Sequence, residues 1–185
     1  SGLIQLKYLP DSKVKYAIQS INIQSGIFCL MKDRFQDIIW VGADGQGIYM
    51  YFTDEFSIEN VLLDVPEYRV NNPVRALFLD HEQTLWIGTK GGGILRMMDF
   101  HPDRETLPQA ERILANNSAL MDNSVYSFAP GRRNSLWIGT EDGLNYYSYL
   151  TRRIEEFPVI ADGKKVKYVH PICETNDSTL WVVSA

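Results

Sequence analysis

The sequence predicts an all-β fold, a β-propeller made of four-stranded antiparallel blades, on three observations. A Trp-centred segment recurs four times along the 185 residues. Its tryptophans are separated by 46, 51 and 44 residues, and one propeller blade occupies about 40 to 50. No segment sustains an apolar period of about 3.6 residues. The nearest helical candidate, residues 105–114, carries Pro108 in its interior, where proline removes a helical hydrogen bond.

The repeat reads Asp37-Ile38-Ile39-Trp40-Val41-Gly42-Ala43, then Gln83-Thr84-Leu85-Trp86-Ile87-Gly88-Thr89, then Asn134-Ser135-Leu136-Trp137-Ile138-Gly139-Thr140, and last Ser178-Thr179-Leu180-Trp181-Val182-Val183-Ser184. Nine residues before each Trp stand Met31, Leu77, Phe128 and Ile172; twelve before stand Phe28, Val74, Val125 and Val169. A short first strand therefore precedes each Trp strand and ends in a polar turn. Gly47-Ile48, Gly93-Ile94 and Gly143-Leu144 open third strands after Gly-containing turns, and Arg153-Ile154-Glu155-Glu156-Phe157 reads as a fourth. Short strands at regular spacing with turn chemistry between them mark an all-β repeat.

Taken in order, Gly2-Leu3-Ile4-Gln5-Leu6 matches a third strand and residues 14–18 a fourth, which makes a half-blade of 1–18. Three blades follow at about 19–64, 65–114 and 115–159. Residues 160–185 supply first and second strands, at 168–172 and 180–184, of a last half-blade. About four blades are present in one propeller segment, 1–185. The halves either pair to close a four-bladed ring or belong to a larger propeller; the chain's break just after its fourth Trp strand favours the larger one, with self-association through open edges expected.

Physics explains the repetition. A single four-stranded sheet cannot bury two apolar faces, and stacking sheets around an axis buries both. Trp40, Trp86, Trp137 and Trp181 suit the layer between blades, each with an N–H expected to reach a strand carbonyl. Gly42, Gly88 and Gly139 are expected to let neighbouring backbone approach. These residues are scaffold.

Composition excludes several functions. The net charge of −5 argues against nucleic acid as a partner. Cys29 and Cys173 lie in apolar runs and read as buried free thiols. No apolar run reaches the ~18 residues of a membrane span. The glycines of Gly88-Thr89-Lys90-Gly91-Gly92-Gly93 lack phosphate-loop spacing. Asp44-Gly45-Gln46-Gly47 lacks the remaining ligands of a calcium loop, and His81, His101 and His170 have no zinc-ligand spacing. No metal, cofactor or catalytic residue is expected. Arg132-Arg133 and Arg152-Arg153 read as turn residues that aid solubility.

Differences between copies point to a site. Eleven residues before each Trp stand Cys29, Arg75, Tyr126 and His170, unlike residues at one height of the innermost strands. Clefts with a few converging polar groups are default binding sites, so Arg75, Tyr126 and His170 are candidate ligand residues at the channel rim, joined by Tyr68, Asn71 and Asn72.

The form Val74-Arg75-Ala76-Leu77, polar turn, Leu85-Trp86-Ile87-Gly88-Thr89, Gly92-Gly93-Ile94 resembles the two-component regulator propeller repeat, and Val125 to Leu144 repeats it. The first copy departs with Ala43 for Thr and the last with Val183 for Gly. The resemblance implies the periplasmic sensor of a hybrid two-component protein: two seven-bladed propellers and a small β-sandwich ahead of a membrane helix, a histidine kinase and a response-regulator part. It implies an oligosaccharide ligand, an inner-membrane parent protein, a homodimer and no enzymatic role for this segment. The alternatives are a propeller used only as a protein-interaction or dimerisation scaffold, and a propeller lyase.

Overall fold

In the computed structural model, which describes residues 2–11, 13, 16–60 and 66–185, three four-stranded antiparallel sheets follow one another, flanked by two-stranded pieces. β1 (Gly2–Tyr8) and β2 (Tyr16–Asn22) form a hairpin. β3 (Ile27–Lys32), β4 (Ile38–Ala43), β5 (Ile48–Phe52) and β6 (Ser57–Asn60) form the first full sheet. β7 (Val74–Leu79), β8 (Thr84–Thr89), β9 (Ile94–Met98) and β10 (Gln109–Ile113) form the second. β11 (Val125–Gly131), β12 (Ser135–Thr140), β13 (Gly143–Ser148) and β14 (Arg153–Phe157) form the third. A small hairpin, β15 (Ile160–Ala161) with β16 (Lys164–Lys165), precedes the paired strands β17 (Ile172–Glu174) and β18 (Leu180–Val182).

Each sheet is a meander in chain order, and the first strands β3, β7, β11 and β17 touch one another in succession. They are the innermost strands of a propeller. Several expected limits shift, two of them by four residues. The opening hairpin runs on to Asn22 rather than ending at 18, and the last first strand is confined to Ile172–Glu174 rather than starting at 168. Residues 14 and 15 of the expected fourth strand, and the expected 64/65 blade boundary, lie outside the described residues.

In the first two full sheets the second strands are buried most deeply because both of their faces meet protein; all six residues of β8 are buried. In these two sheets the first turn is organised by a carboxylate. Asp33 Oδ1 accepts the N–H groups of Phe35 and Gln36, and Asp80 Oδ1 those of Glu82 and Thr84, as short Asx side chains do in turns.

The same carboxylates hold the tryptophans. Trp40 Nε1 donates to Asp33 Oδ2 at 3.0 Å and Trp86 Nε1 to Asp80 Oδ2 at 2.9 Å. Trp137 Nε1 reaches forward to Glu174 Oε2 of the next repeat at 2.9 Å. The acceptors are thus carboxylates, not the expected strand carbonyls; an indole edge lies beside the turn, where an acidic side chain fits and the ladder carbonyls are already paired.

Gly42 and Gly88 admit side chains rather than backbone, and Gly139 admits both. A Cβ placed on Gly42 would lie 2.7 Å from Val74 Cγ1, and one on Gly88 2.8 Å from Val125 Cγ1. On Gly139 it would meet both Val169 Cγ1 at 2.9 Å and the Val169 carbonyl at 2.5 Å. One valine of each following blade fills the notch left by the glycine before it.

The thiols divide. Cys29 is half-buried and hydrogen-bonds weakly to the Val74 carbonyl, whereas Cys173, paired across the strands with the exposed Trp181, is itself exposed. The arginine turns also bridge blades. Arg34 donates to the Leu79 carbonyl at 2.8 Å, Arg132 to the Asn176 carbonyl and Ser178, and Arg152 makes a two-pronged pair with Glu82.

Candidate functional site

The innermost strands set the candidate site, and their register corrects the alignment on Trp. Cys29 pairs with Gly42, Ala76 with Gly88 and Ser127 with Gly139. Cys29 therefore stands at the height of Ala76 and Ser127, one position past Arg75 and Tyr126. The cause is the first turn of the first blade. From Asp33 to its bonded partner Ile38 there is one residue more than from Asp80 to Thr84. Counting back from Trp slips by that residue, and the true equivalent of Arg75, Tyr126 and His170 is Phe28.

With this correction the four residues form a row. The Arg75 guanidinium carbon sits 3.7 Å from the centre of the Phe28 ring, a close cation–π contact. The Tyr126 and His170 rings stack at 4.8 Å between centroids with 26° between their planes. Tyr126 Oη donates to Glu141 Oε2 at 2.9 Å, which brings a carboxylate from the turn between β12 and β13 to the same mouth. Burial and the Glu141 hydrogen bond raise the Tyr126 pKa, against a smaller lowering by Arg75, so the phenol stays a neutral donor. Arg75 Nε is buried and has no hydrogen-bond partner among the described residues.

Burial pushes the nearby Cys29 thiol up to about 11, against smaller lowering by the Gly42 backbone and Arg75. It is a protonated, inert neighbour rather than a nucleophile.

The other three candidates fall elsewhere. Tyr68 ends a 3-10 turn, Pro66–Tyr68, is 8% exposed and packs in the core between the first and second full sheets. Its hydroxyl donates to the Pro108 carbonyl, so it is a core residue and not part of the rim. Asn72 spends its amide on the Lys90 carbonyl at 3.1 Å and fills the space beside Gly92, where it braces the turn between β8 and β9. Asn71 is exposed beside Gly45, apart from the Phe28–His170 row.

Phe28 and Glu141 are the residues that sequence reasoning missed. Matching Asp33 to Asp80 would have found Phe28. Glu141 lies outside the first strands and carries no repeat signal.

The row presents two aromatic faces, a guanidinium, an imidazole and a carboxylate side by side. Such a surface can stack against the apolar face of a ring-shaped ligand and exchange hydrogen bonds with its hydroxyls. Among the described residues no three His, Cys, Asp or Glu side chains converge as a metal site would require, and no helix is long and apolar enough to cross a membrane.

Comparison with known proteins agrees with the fold. Residues 69–91 and 119–142 match the two-component regulator propeller family. A histidine kinase of Formosa agariphila is 26% identical over 171 residues, covering 90% of this chain and 12% of the kinase. The extracellular domain of a putative hybrid two-component system of B. thetaiotaomicron superposes with a TM-score of 0.61 at 16% identity, over 96% of this chain and 28% of that one. PorZ, a surface component of the type-IX secretion system of Porphyromonas gingivalis, superposes with a TM-score of 0.67 at 16% identity, over 96% and 27%. The chain thus spans a small part of these longer proteins, and at such identities the structural likeness speaks for the propeller fold.

Proposed function

On the premise that this chain is built of two-component regulator propeller repeats, we propose that it is a ligand-sensing segment of a hybrid two-component signalling protein, with an oligosaccharide as its ligand. The observation that carries the reading is the row Phe28–Arg75–Tyr126–His170 with Glu141 at one mouth of the innermost strands. Neutral sugars are recognised by stacking on aromatic faces and by hydrogen bonds to paired donors and acceptors, and the row offers both. The segment acts by binding, without a reaction of its own, and sits outside the inner membrane in the periplasm. Its signal passes to a histidine kinase elsewhere in the protein. The Formosa kinase and the B. thetaiotaomicron domain are the relatives that support this placement.

Calorimetry of the complete protein against a panel of neutral and acidic oligosaccharides tests the reading. At least one member should bind. Arg75→Ala and Tyr126→Phe should each weaken that binding about tenfold, the loss expected when a hydrogen bond to a charged or polar partner is removed. Failure of every panel member to bind would count against an oligosaccharide ligand.

A second reading is supported by the exposed apolar side chains Ile4, Leu6 and Ile18 on the β1–β2 hairpin. A propeller serving only as an assembly scaffold would use such a face. Signalling that survives the combined Arg75→Ala, Tyr126→Ala and His170→Ala change but fails after Leu6→Asp would favour it.

A further inference from the structure

Two differences in the fourth repeat fall on one face. In the first three repeats the residue two after Trp is glycine, and each glycine receives a valine of the next blade: Val74, Val125 and Val169. The fourth repeat has Val183 there, 57% exposed, beside Trp181, 66% exposed and on the same side of the strand. A second valine arriving at this height would meet a side chain where its predecessors met a notch.

The indole differs as well. Asp33 and Asp80 hold the first two tryptophans from within their own repeats. The third repeat has Gly131 at that place, and the fourth has Thr175, whose N–H donates to the Thr179 carbonyl as that of Asp80 does to Thr84. The third repeat is rescued by Glu174 from the first strand of its successor. Thr175 turns its hydroxyl to Asp177 and to the Thr179 carbonyl, so Trp181 Nε1 has no acceptor among the described residues.

We infer that this face of the fourth repeat is the seat of a further propeller repeat of defined chemistry. Its first strand carries Gly or Ala where Val169 stands and Asp or Glu where Glu174 stands, five residues later. The small residue leaves room for Val183, and the carboxylate accepts from Trp181. The interface between the third and fourth repeats already shows the second half of this arrangement.

The chain's own first repeat does not meet the description. Register places Ile27 at the height of Val74 and Lys32 at that of Leu79, hence of Val169 and Glu174. Ile27 would crowd Val183, and Lys32 would bring an ammonium, a donor only, to the indole N–H. The fourth repeat is therefore matched neither to ring closure on the first nor to the first repeat of a second copy.

The test is a chain in which residues 142–185 are repeated once after Ala185, which keeps the 44-residue spacing between Trp137 and Trp181. In the added copy, Val169 falls opposite the original Val183 and Glu174 opposite the original Trp181. Changing the added Val169 to Ala should raise the urea midpoint, and Glu174→Gln in the added copy should lower it. Val183→Gly should raise the midpoint when the added copy keeps valine and not when it carries alanine. An effect of Val183→Gly that is equal in both backgrounds would overturn the inference. So would head-to-tail oligomers of the unextended 185-residue chain in sedimentation that Val183→Asp dissolves, since the first repeat would then fit after all.

Discussion

Trp86 shows what one residue does in this architecture. It is 0% exposed, packs against Phe128 and Tyr147, lies under the Arg96 guanidinium and donates to Asp80. Trp86→Ala should cost about 3–5 kcal/mol of stability, the range for a buried large aromatic, measured by urea denaturation. Trp137 is half-buried and tied to Glu174, so its hydrogen bond can be titrated. The Trp137 indole, and less strongly the Arg132 backbone N–H and charge, hold the Glu174 pKa below its ordinary value. A depressed carboxylate stabilises the folded state above its unfolded pKa, about 4.3, and loses that contribution as pH falls through the folded value. The stability gap between wild type and Glu174→Gln should be constant above about pH 5 and should close as pH falls through the depressed folded value.

Residue identity was also where sequence reading reached furthest and where it slipped. Trp and Gly were legible because each satisfies a demand made once per blade, an indole in the inter-blade layer and a notch for the next valine. Phe28 was hidden by one extra residue between Asp33 and Ile38, which Trp-based counting cannot see. Tyr68 looked polar and peripheral, yet its ring packs in the core and only its hydroxyl is spent on a carbonyl. Glu141 enters the site from a turn, and no linear pattern announces that proximity.

At the scale of the element, the unit of stability is the contact between successive blades rather than the sheet. Gly88→Ala would drive a methyl group to 2.8 Å from Val125 Cγ1 and 3.0 Å from Phe128 Cε2. Overpacking of this kind costs about 1–3 kcal/mol. Val125→Ala makes room for that methyl, so the double variant should recover part of the loss. Coupling of about 0.5 kcal/mol or more in a double-mutant cycle would show that the two residues act as one joint. The extent of each sheet was readable from turn chemistry. The opening hairpin reached further than expected because its pairing runs in register from Gly2–Asn22 to Tyr8–Tyr16.

Across the whole molecule, burial is graded from the middle repeats outward. The strand β8 is buried throughout, whereas β2 is exposed at six of its seven residues. Amide exchange should follow this gradient, slowest in β4, β8 and β12 and fastest in β1, β2, β15 and β16, because local opening is easiest where few apolar contacts must be broken. Uniform protection along the chain would contradict that ordering. Function follows another axis, since the Phe28–His170 row needs four consecutive first strands to exist and no single repeat contains it.

The forward reach of Trp137 to Glu174 has a statistical consequence. A linear array of repeats can be described by an intrinsic free energy for each unit and a coupling between neighbours. Asp33 and Asp80 place the anchoring of their tryptophans in the intrinsic terms of the first two full repeats. Glu174 moves the same bond into the coupling between the third and the fourth. Melting of the fourth repeat therefore withdraws support from the third, while the second keeps its own. Cooperativity along this chain is directional, and its range is written in which repeat owns the carboxylate.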